Sequence, residues 1–139
     1  MQQGPGIVYG VVAALLLAGC AAGPAPSPSP ATATSASYAA PAGTVTLRDL
    51  GWRNGPAARV VLPAGVVVTR RIDQPNVVSA FGRGADGEAV SRALAGSLPG
   101  MGWTVTAQGG GSIVFSDDRH DGTYTASAEV WGLTIRVRP

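Results

Sequence analysis

The chain's only histidine lies in a short run of charged residues that could bind a metal ion: Asp117, Asp118, His120 and Asp121. Carboxylate and imidazole groups are metal ligands, and a metal-bound water can serve as the nucleophile of a hydrolase. The spacing differs from that of a helix–loop–helix calcium site, and Arg119 places a cation among the ligands. The run therefore predicts a solvated turn, with a metal-binding protein or metal-dependent hydrolase centred on Asp117 to Gly122 as the alternative.

A second run, Gly82-Arg83-Gly84-Ala85-Asp86-Gly87, has the G-x-G-x-x-G spacing of dinucleotide-binding loops and lies between a predicted strand and a predicted helix. Such loops are followed roughly twenty positions later by an acidic residue that binds the ribose. Residues 103 to 111 contain no acid, and the carboxylate of Asp86 would stand among the phosphates. We therefore expect a glycine-rich connection, and no nucleotide partner.

A catalytic assembly is also not indicated. Nucleophilic hydrolysis requires a base beside a nucleophile, and the chain has one His, one Cys and no G-x-S-x-G motif. The carboxylates that could cleave a glycoside are crowded into one turn instead of facing each other across a cleft. The sequence predicts a protein that is not an enzyme and binds no cofactor.

The composition limits the remaining choices. Net charge is +2, carried by ten arginines and no lysine against eight acids, which is too small an excess to predict nucleic-acid binding. Charged residues make up 13% of the chain, while Gly (20) and Pro (11) are frequent, so turns and strands are favoured over long charged helices.

The single cysteine, Cys20, directly follows an apolar stretch from Ile7 to Ala18 that is too short to span a bilayer as a helix. The stretch is typical of the core of a signal peptide. Leu17, Ala18, Gly19 and Cys20 look like a lipobox, the site at which bacterial prolipoproteins receive a diacylglycerol thioether and are then cleaved. An ordinary secretory signal is the alternative. The motif implies that residues 1–19 are removed and that fatty-acyl chains such as palmitate on Cys20 anchor an exported, extracytoplasmic chain to the cell membrane.

After this motif, residues 20–43 comprise Cys20 and a Pro-, Ser-, Thr- and Ala-rich segment that lacks large aliphatic side chains. Such a segment cannot bury a core, and we expect an extended tether, either bare or O-glycosylated. Residues 44–139 are the predicted globular domain, which at about 95 residues can bury one modest core.

The globular part reads mainly as strands joined by tight turns. Residues 45–50 and 59–62 are possible strands, and residues 66–72 and 77–81 flank the turn Asp73 to Asn76 as a hairpin. One helix should follow, capped by Asp86, with apolar residues recurring at helical spacing and Pro99 at its end. The apolar residues of that stripe are Val90, Ala93, Leu94 and Leu98.

Further strands are predicted beyond the helix. Residues 103–107 and 112–115 flank three glycines, residues 123–130 alternate between apolar and polar side chains, and a bulge or turn at Gly132 precedes residues 133–138. The prediction is an α+β domain, with a largely antiparallel sheet of about five or six strands and one helix on one face. The predicted order is strand-strand-helix-strand-strand-strand.

Two sets of side chains could contact a ligand. Trp52, Trp103 and Trp131 could stack on sugar rings if exposed, or pack in the core. Arg136 and Arg138 alternate on one face of the last strand, and we expect Arg70-Arg71 to lie in the same sheet. Such a basic stripe suits anionic lipid or wall polymers, although charges on a wet sheet face also discourage edge pairing.

The chain as a whole resembles the small α+β lipoproteins common in actinobacteria. The resemblance is carried by the lipobox, the Pro/Ser/Thr tether, Leu62-Pro63-Ala64-Gly65, the hairpin, a short helix with an acidic start, and Gly102-Trp103-Thr104-Val105 before a glycine-rich hairpin. It implies location and architecture, because these proteins mostly have no assigned activity. The expected function is that of a membrane-anchored binding or accessory module for an envelope protein, lipid or glycan.

Overall fold

Six antiparallel strands form the main sheet of the computed structural model, which describes residues 37–139. In chain order, the strands of the structure are β1 Thr44–Thr46, β2 Val61–Pro63, β3 Val68–Gln74, β4 Val77–Arg83, β5 Thr104–Gly109, β6 Ser112–Ser116, β7 His120–Ala126 and β8 Val130–Val137. The spatial order in the main sheet is β3-β4-β8-β7-β6-β5, and the two shorter strands, β1 and β2, pair in a separate antiparallel sheet.

The hairpin predicted from the two β-branched runs is present as β3 and β4. Gln74 pairs with Val77, so the connection consists of Pro75 and Asn76 alone. Proline and asparagine favour such tight turns, because the proline ring fixes φ and asparagine tolerates unusual backbone angles.

The helix, α1, spans Gly87–Ser97 and lies between short 3₁₀ turns at Gly84–Asp86 and Pro99–Met101. Val90, Leu94 and Leu98 are fully buried on one stripe, as their spacing predicts. Asp86 occupies the N-cap position, although its side chain makes no capping hydrogen bond. The prediction of an α+β domain with a mainly antiparallel sheet and one helix is confirmed for the part of the chain described.

The segment before the hairpin contains less strand than predicted. Only Thr44–Thr46 pairs with β2, because a side-chain bond turns the chain directly afterwards. The Asp49 carboxylate accepts hydrogen bonds from the backbone N–H and the hydroxyl of Thr46, at 3.2 and 2.7 Å. A local bond of this kind competes with continuation of a strand.

Four strands follow the helix, one more than in the predicted order but within the predicted total of five or six for the sheet, and the last hairpin lies elsewhere than expected. The chain turns at residues 127–129, where the Ser127 hydroxyl bonds to both backbone groups of Val130. Gly132 is neither a bulge nor a turn, since the register of β8 passes through it unbroken on both sides. The alternation predicted up to Val130 therefore ends at Ala126.

Glycines inside the strands lie beneath aromatic rings on the neighbouring strand. Gly82 pairs with Trp131, Gly122 with Phe115, and Gly132 with Phe81. Each ring occupies the volume that a side chain on its glycine would need. A Cβ at Gly122 would lie 2.2 Å from Phe115, and one at Gly82 would lie 2.4 Å from Trp131. These contacts explain why glycine, normally unfavourable within strands, recurs here.

Both edge strands of the main sheet carry an irregularity at a threonine. The register shifts between Val68 and Arg70 on β3 and between Val105 and Ala107 on β5. At each shift a threonine hydroxyl donates to a carbonyl of the neighbouring strand, Thr69 to Phe81 and Thr106 to Val114, both at 3.2 Å. Bulges on edge strands twist the edge and hinder pairing with another sheet.

The core lies between one face of the main sheet and a layer formed by α1 and the two-stranded sheet. The opposite face is uncovered by any described residue, and we call it the open face. Its members, from the strand register, include Arg70, Ile72, Val77, Ser79, Phe81, Arg83, Val114, Asp121, Thr123, Thr125, Gly132, Thr134, Arg136 and Arg138. Within residues 37–139, no helix has the length and apolarity needed to cross a membrane.

Candidate functional site

The charged turn between β6 and β7 is organised around the carboxylate of Asp117. One oxygen accepts hydrogen bonds from the backbone N–H groups of Arg119 and His120, at 2.7 and 2.6 Å, and the other accepts from Arg59. The His120 ring nitrogen Nδ1 lies 3.1 Å from the first oxygen. Burial by itself raises the pKa of Asp117. The hydrogen bonds from the Arg59 guanidinium and these N–H donors outweigh burial and lower the pKa to about 2.

The cation that meets Asp117 is itself held between aromatic rings. The Arg59 guanidinium lies 4.7 Å from the ring centre of Trp103 and 5.9 Å from that of Tyr38. Trp103 also donates from Nε1 to the Arg59 carbonyl oxygen at 2.7 Å, and its ring meets His120 edge-on. This cluster joins Tyr38, in the last part of the predicted tether, to the domain.

Of the four residues proposed as metal ligands, only Asp117 and His120 are in contact. Asp117 is engaged by protein donors, Asp118 is exposed, and Asp121 is bound to Arg138 at 2.6 Å. The Arg138 hydrogen bond lowers the pKa of Asp121. Among residues 37–139, no group of three or more His, Cys, Asp and Glu side chains is arranged to hold a metal ion. The metal-binding alternative remains a prediction.

His120 has one feature of a catalytic base, because a carboxylate orients its ring through Nδ1. In the described part of the chain, no side-chain hydroxyl hydrogen bonds to that ring. The Asp117 partner of His120 also forms a salt bridge with Arg59.

The three tryptophans lie in the core, where Trp52, Trp103 and Trp131 are 2%, 4% and 0% exposed. No indole face is open to a sugar ring, so their role in this structure is packing. Trp52 donates to the Ile72 carbonyl at 3.0 Å, whereas Trp131 Nε1 is the one buried side-chain nitrogen without a partner in the described residues.

A groove of about 320 Å³ lies beside Trp52, lined by apolar side chains and by Arg70 and Arg71. The Arg71 guanidinium covers the Trp52 ring at 4.4 Å and donates to the Gly51 carbonyl at 2.8 Å. Arg71 is therefore on the covered side of the sheet, while its neighbour Arg70 is on the open face. The suggestion that both share one stripe with Arg136 and Arg138 holds for Arg70 alone.

The glycines of the G-x-G-x-x-G run are required by packing. A Cβ on Gly84 would lie 2.2 Å from the Ala128 carbonyl oxygen, and Gly87 faces Ala126. Together with Gly82 beneath Trp131, all three glycines contact the β7–β8 hairpin and its strands. The run thus allows the strand-to-helix connection to approach that hairpin closely.

The open face presents cations that sequence reasoning found only in part. Arg136 and Arg138 are there as predicted from β8, and Arg70 and Arg83 join them from β3 and β4. Sequence reasoning missed Arg83 because it lies within the glycine-rich run. Alternate residues of a strand point to the same face, so Arg83 shares a face with Val77, Ser79 and Phe81. A second depression, of about 270 Å³, is lined by Asp121, Thr123, Thr134 and Arg136.

Comparison of the chain with protein-family models, with curated proteins and with solved structures finds no match.

Proposed function

We propose that this chain is a membrane-anchored lipoprotein of the bacterial cell envelope. The observation that carries the proposal is the order of the N-terminal segments, in which an apolar stretch leads directly to Leu17-Ala18-Gly19-Cys20. Two acyl chains on one sulfur contribute about 0.8 kcal/mol for each buried methylene, which is far more than the marginal hold of a single myristoyl group. A domain anchored in this way works on partners in or near the membrane.

The domain itself acts as a non-catalytic binding or accessory module. Support comes from the open face, a broad sheet surface that no described element covers, and from the polar cluster at Asp117, whose hydrogen bonds are satisfied within the protein. Both sheet edges carry threonine bulges, which favours contact through the face over strand addition at an edge. The partner is an envelope protein, a lipid or a glycan.

Replacement of Cys20 tests the anchor. Cells that express the full chain, Cys20→Ala or the adjacent control Ala21→Ser are fed a clickable palmitate analogue, and the products are fractionated and weighed as intact proteins. For the full chain and Ala21→Ser we expect labelling, recovery in the membrane fraction and the added mass of a diacylglycerol thioether. For Cys20→Ala we expect none of these three results.

The result that contradicts the proposal is equally direct. A wild-type product with an unmodified sulfur, or one that still begins at Met1, would show that Cys20 is not a lipidation site. Labelling that persists in Cys20→Ala would place the lipid on another residue and would refute the same assignment.

A further inference from the structure

Charge is distributed unevenly between the open face and the rest of the protein. Four arginines and one aspartate lie on the open face (Arg70, Arg83, Arg136, Arg138 and Asp121), which gives that surface a net charge of +3. The other six arginines and seven carboxylates carry −1, so the two parts add to the chain's +2. An excess of cations on one surface attracts an anionic partner to that surface.

Three of these arginines have no anionic partner among the residues that the structure describes. Among residues 37–139, Arg138 pairs with Asp121, while Arg70, Arg83 and Arg136 form no salt bridge. From the spacing between strands and the rise per residue, the Cα atoms of Arg70 and Arg83 lie about 8 Å apart. The Cα atom of Arg136 lies about 17 Å from that of Arg70. These three cations therefore spread across three strands instead of converging on one small ion.

The centre of the open face is partly apolar. The Phe81 ring lies across Gly132, with the Arg70 guanidinium 5.9 Å from its centre, and Ile72 is partly exposed beside it. The hydroxyls of Ser79 and Thr134 bond to each other at 3.0 Å, so these central polar groups need no external partner. A surface with an apolar centre and outlying guanidinium groups suits the boundary between head groups and acyl chains.

We infer that the open face binds the anionic head groups of a lipid bilayer. This inference rests on the proposed lipid anchor, which keeps the domain close to a membrane and makes weak charge contacts effective. A fully extended segment as long as residues 21–36 reaches about 50 Å, which is enough for the domain to turn either surface to the bilayer. Each of the three unpaired arginines should raise the ratio of domains whose open face meets the bilayer about fivefold, and the three together should raise it more than a hundredfold.

The experiment measures which surface approaches the bilayer. The full lipidated protein is placed in vesicles of phosphatidylcholine alone or mixed with phosphatidylglycerol, with a fluorophore on one introduced cysteine and a nitroxide quencher on lipid head groups. The lipid occupies the sulfur of Cys20, so the fluorophore attaches only to the introduced cysteine. One variant carries Thr123→Cys on the open face and the other carries Gly100→Cys beyond the helix, and both positions are exposed. We expect strong quenching at position 123 alone, in anionic vesicles alone, and its loss in high salt.

Matched charge variants identify the residues. Combining Arg70→Gln, Arg83→Gln and Arg136→Gln should abolish the preference, whereas Arg48→Gln, Arg53→Gln and Arg92→Gln, which remove the same charge from other surfaces, should retain it. Equal quenching at both labels, or in neutral vesicles, overturns the inference. Binding of soluble polyglutamate to the open face, without binding of anionic vesicles, also overturns the inference. The partner would then be an acidic polymer. Intact mass reports the anchor separately, so an unlipidated product refutes the proposed function instead.

Discussion

Replacing Gly122 by alanine should destabilise the domain through one identifiable contact. The new methyl carbon would lie 2.2 Å from a Phe115 ring carbon, against the 3.5–4.0 Å of an ordinary carbon contact. Phe115 is fully buried, and Trp103 meets it edge-on with ring centres 5.0 Å apart, so the ring has little room to move. Overpacking of this kind costs about 1–3 kcal/mol.

We expect the free energy of unfolding of Gly122→Ala to fall by about 2 kcal/mol, which lowers Tm by about 10 °C in a domain of this size. Thermal and urea unfolding, followed by circular dichroism, measure both quantities. Gly96→Ala is the matched control, since its Cβ meets nothing within 4 Å and the helical position should gain up to about 1 kcal/mol.

A second substitution tests the cause directly. Phe115→Leu shortens the ring that meets the new methyl group, so Gly122→Ala combined with Phe115→Leu should lose less stability than the two single losses added together. If Gly122→Ala is as stable as the wild type, or if the double variant shows simple additivity, the assignment of this glycine to ring packing is wrong.

Two further predictions concern buried polar groups. The folded pKa of Asp117, about 2, lies below the unfolded value of 3.8, so its stabilisation of about 2 kcal/mol is present above pH 4 and lost as pH falls towards 2. Urea midpoints across that range should drop for the wild type and drop less for Asp117→Asn, in which the lowered pKa values of Asp73 and Asp121 still contribute. Trp131→Phe removes an unpartnered N–H, whereas Trp103→Phe breaks a bond to the Arg59 carbonyl, so urea unfolding should show Trp103→Phe to be the more destabilised by about 1 kcal/mol or more.

The sequence was most informative where local chemistry decides structure. The turn residues Pro75 and Asn76 and the helical spacing of Val90, Leu94 and Leu98 located the hairpin and the helix close to their observed bounds. These signals succeed because a turn or an amphipathic stripe is encoded within a few adjacent positions.

It was misleading where a distant residue changes the meaning of a local one. Gly132 reads as a break in a strand, but Phe81 on β4 supplies the missing side-chain volume. The true turn at residues 127–129 has no Gly, Pro or Asn and depends on the Ser127 hydroxyl, so the alternating pattern appeared to run through it.

The Asp117 cluster was the least predictable part of the candidate site. Its cation, Arg59, lies 58 positions away in sequence, and the ring stacking of Tyr38 and Trp103 on that cation joins three separate segments. A sequence shows which residues are charged or aromatic, but only the folded chain shows which of them meet.

The threonine irregularities on β3 and β5 matter most where many copies share a surface. Molecules confined to a plane encounter one another far more often than the same number dispersed in solution, and exposed sheet margins would then join copies into ribbons. By distorting both margins, Thr69 and Thr106 leave neighbouring copies without a template for such growth. In the proposed membrane-anchored state, copies of the domain can therefore crowd together without joining through these two edges.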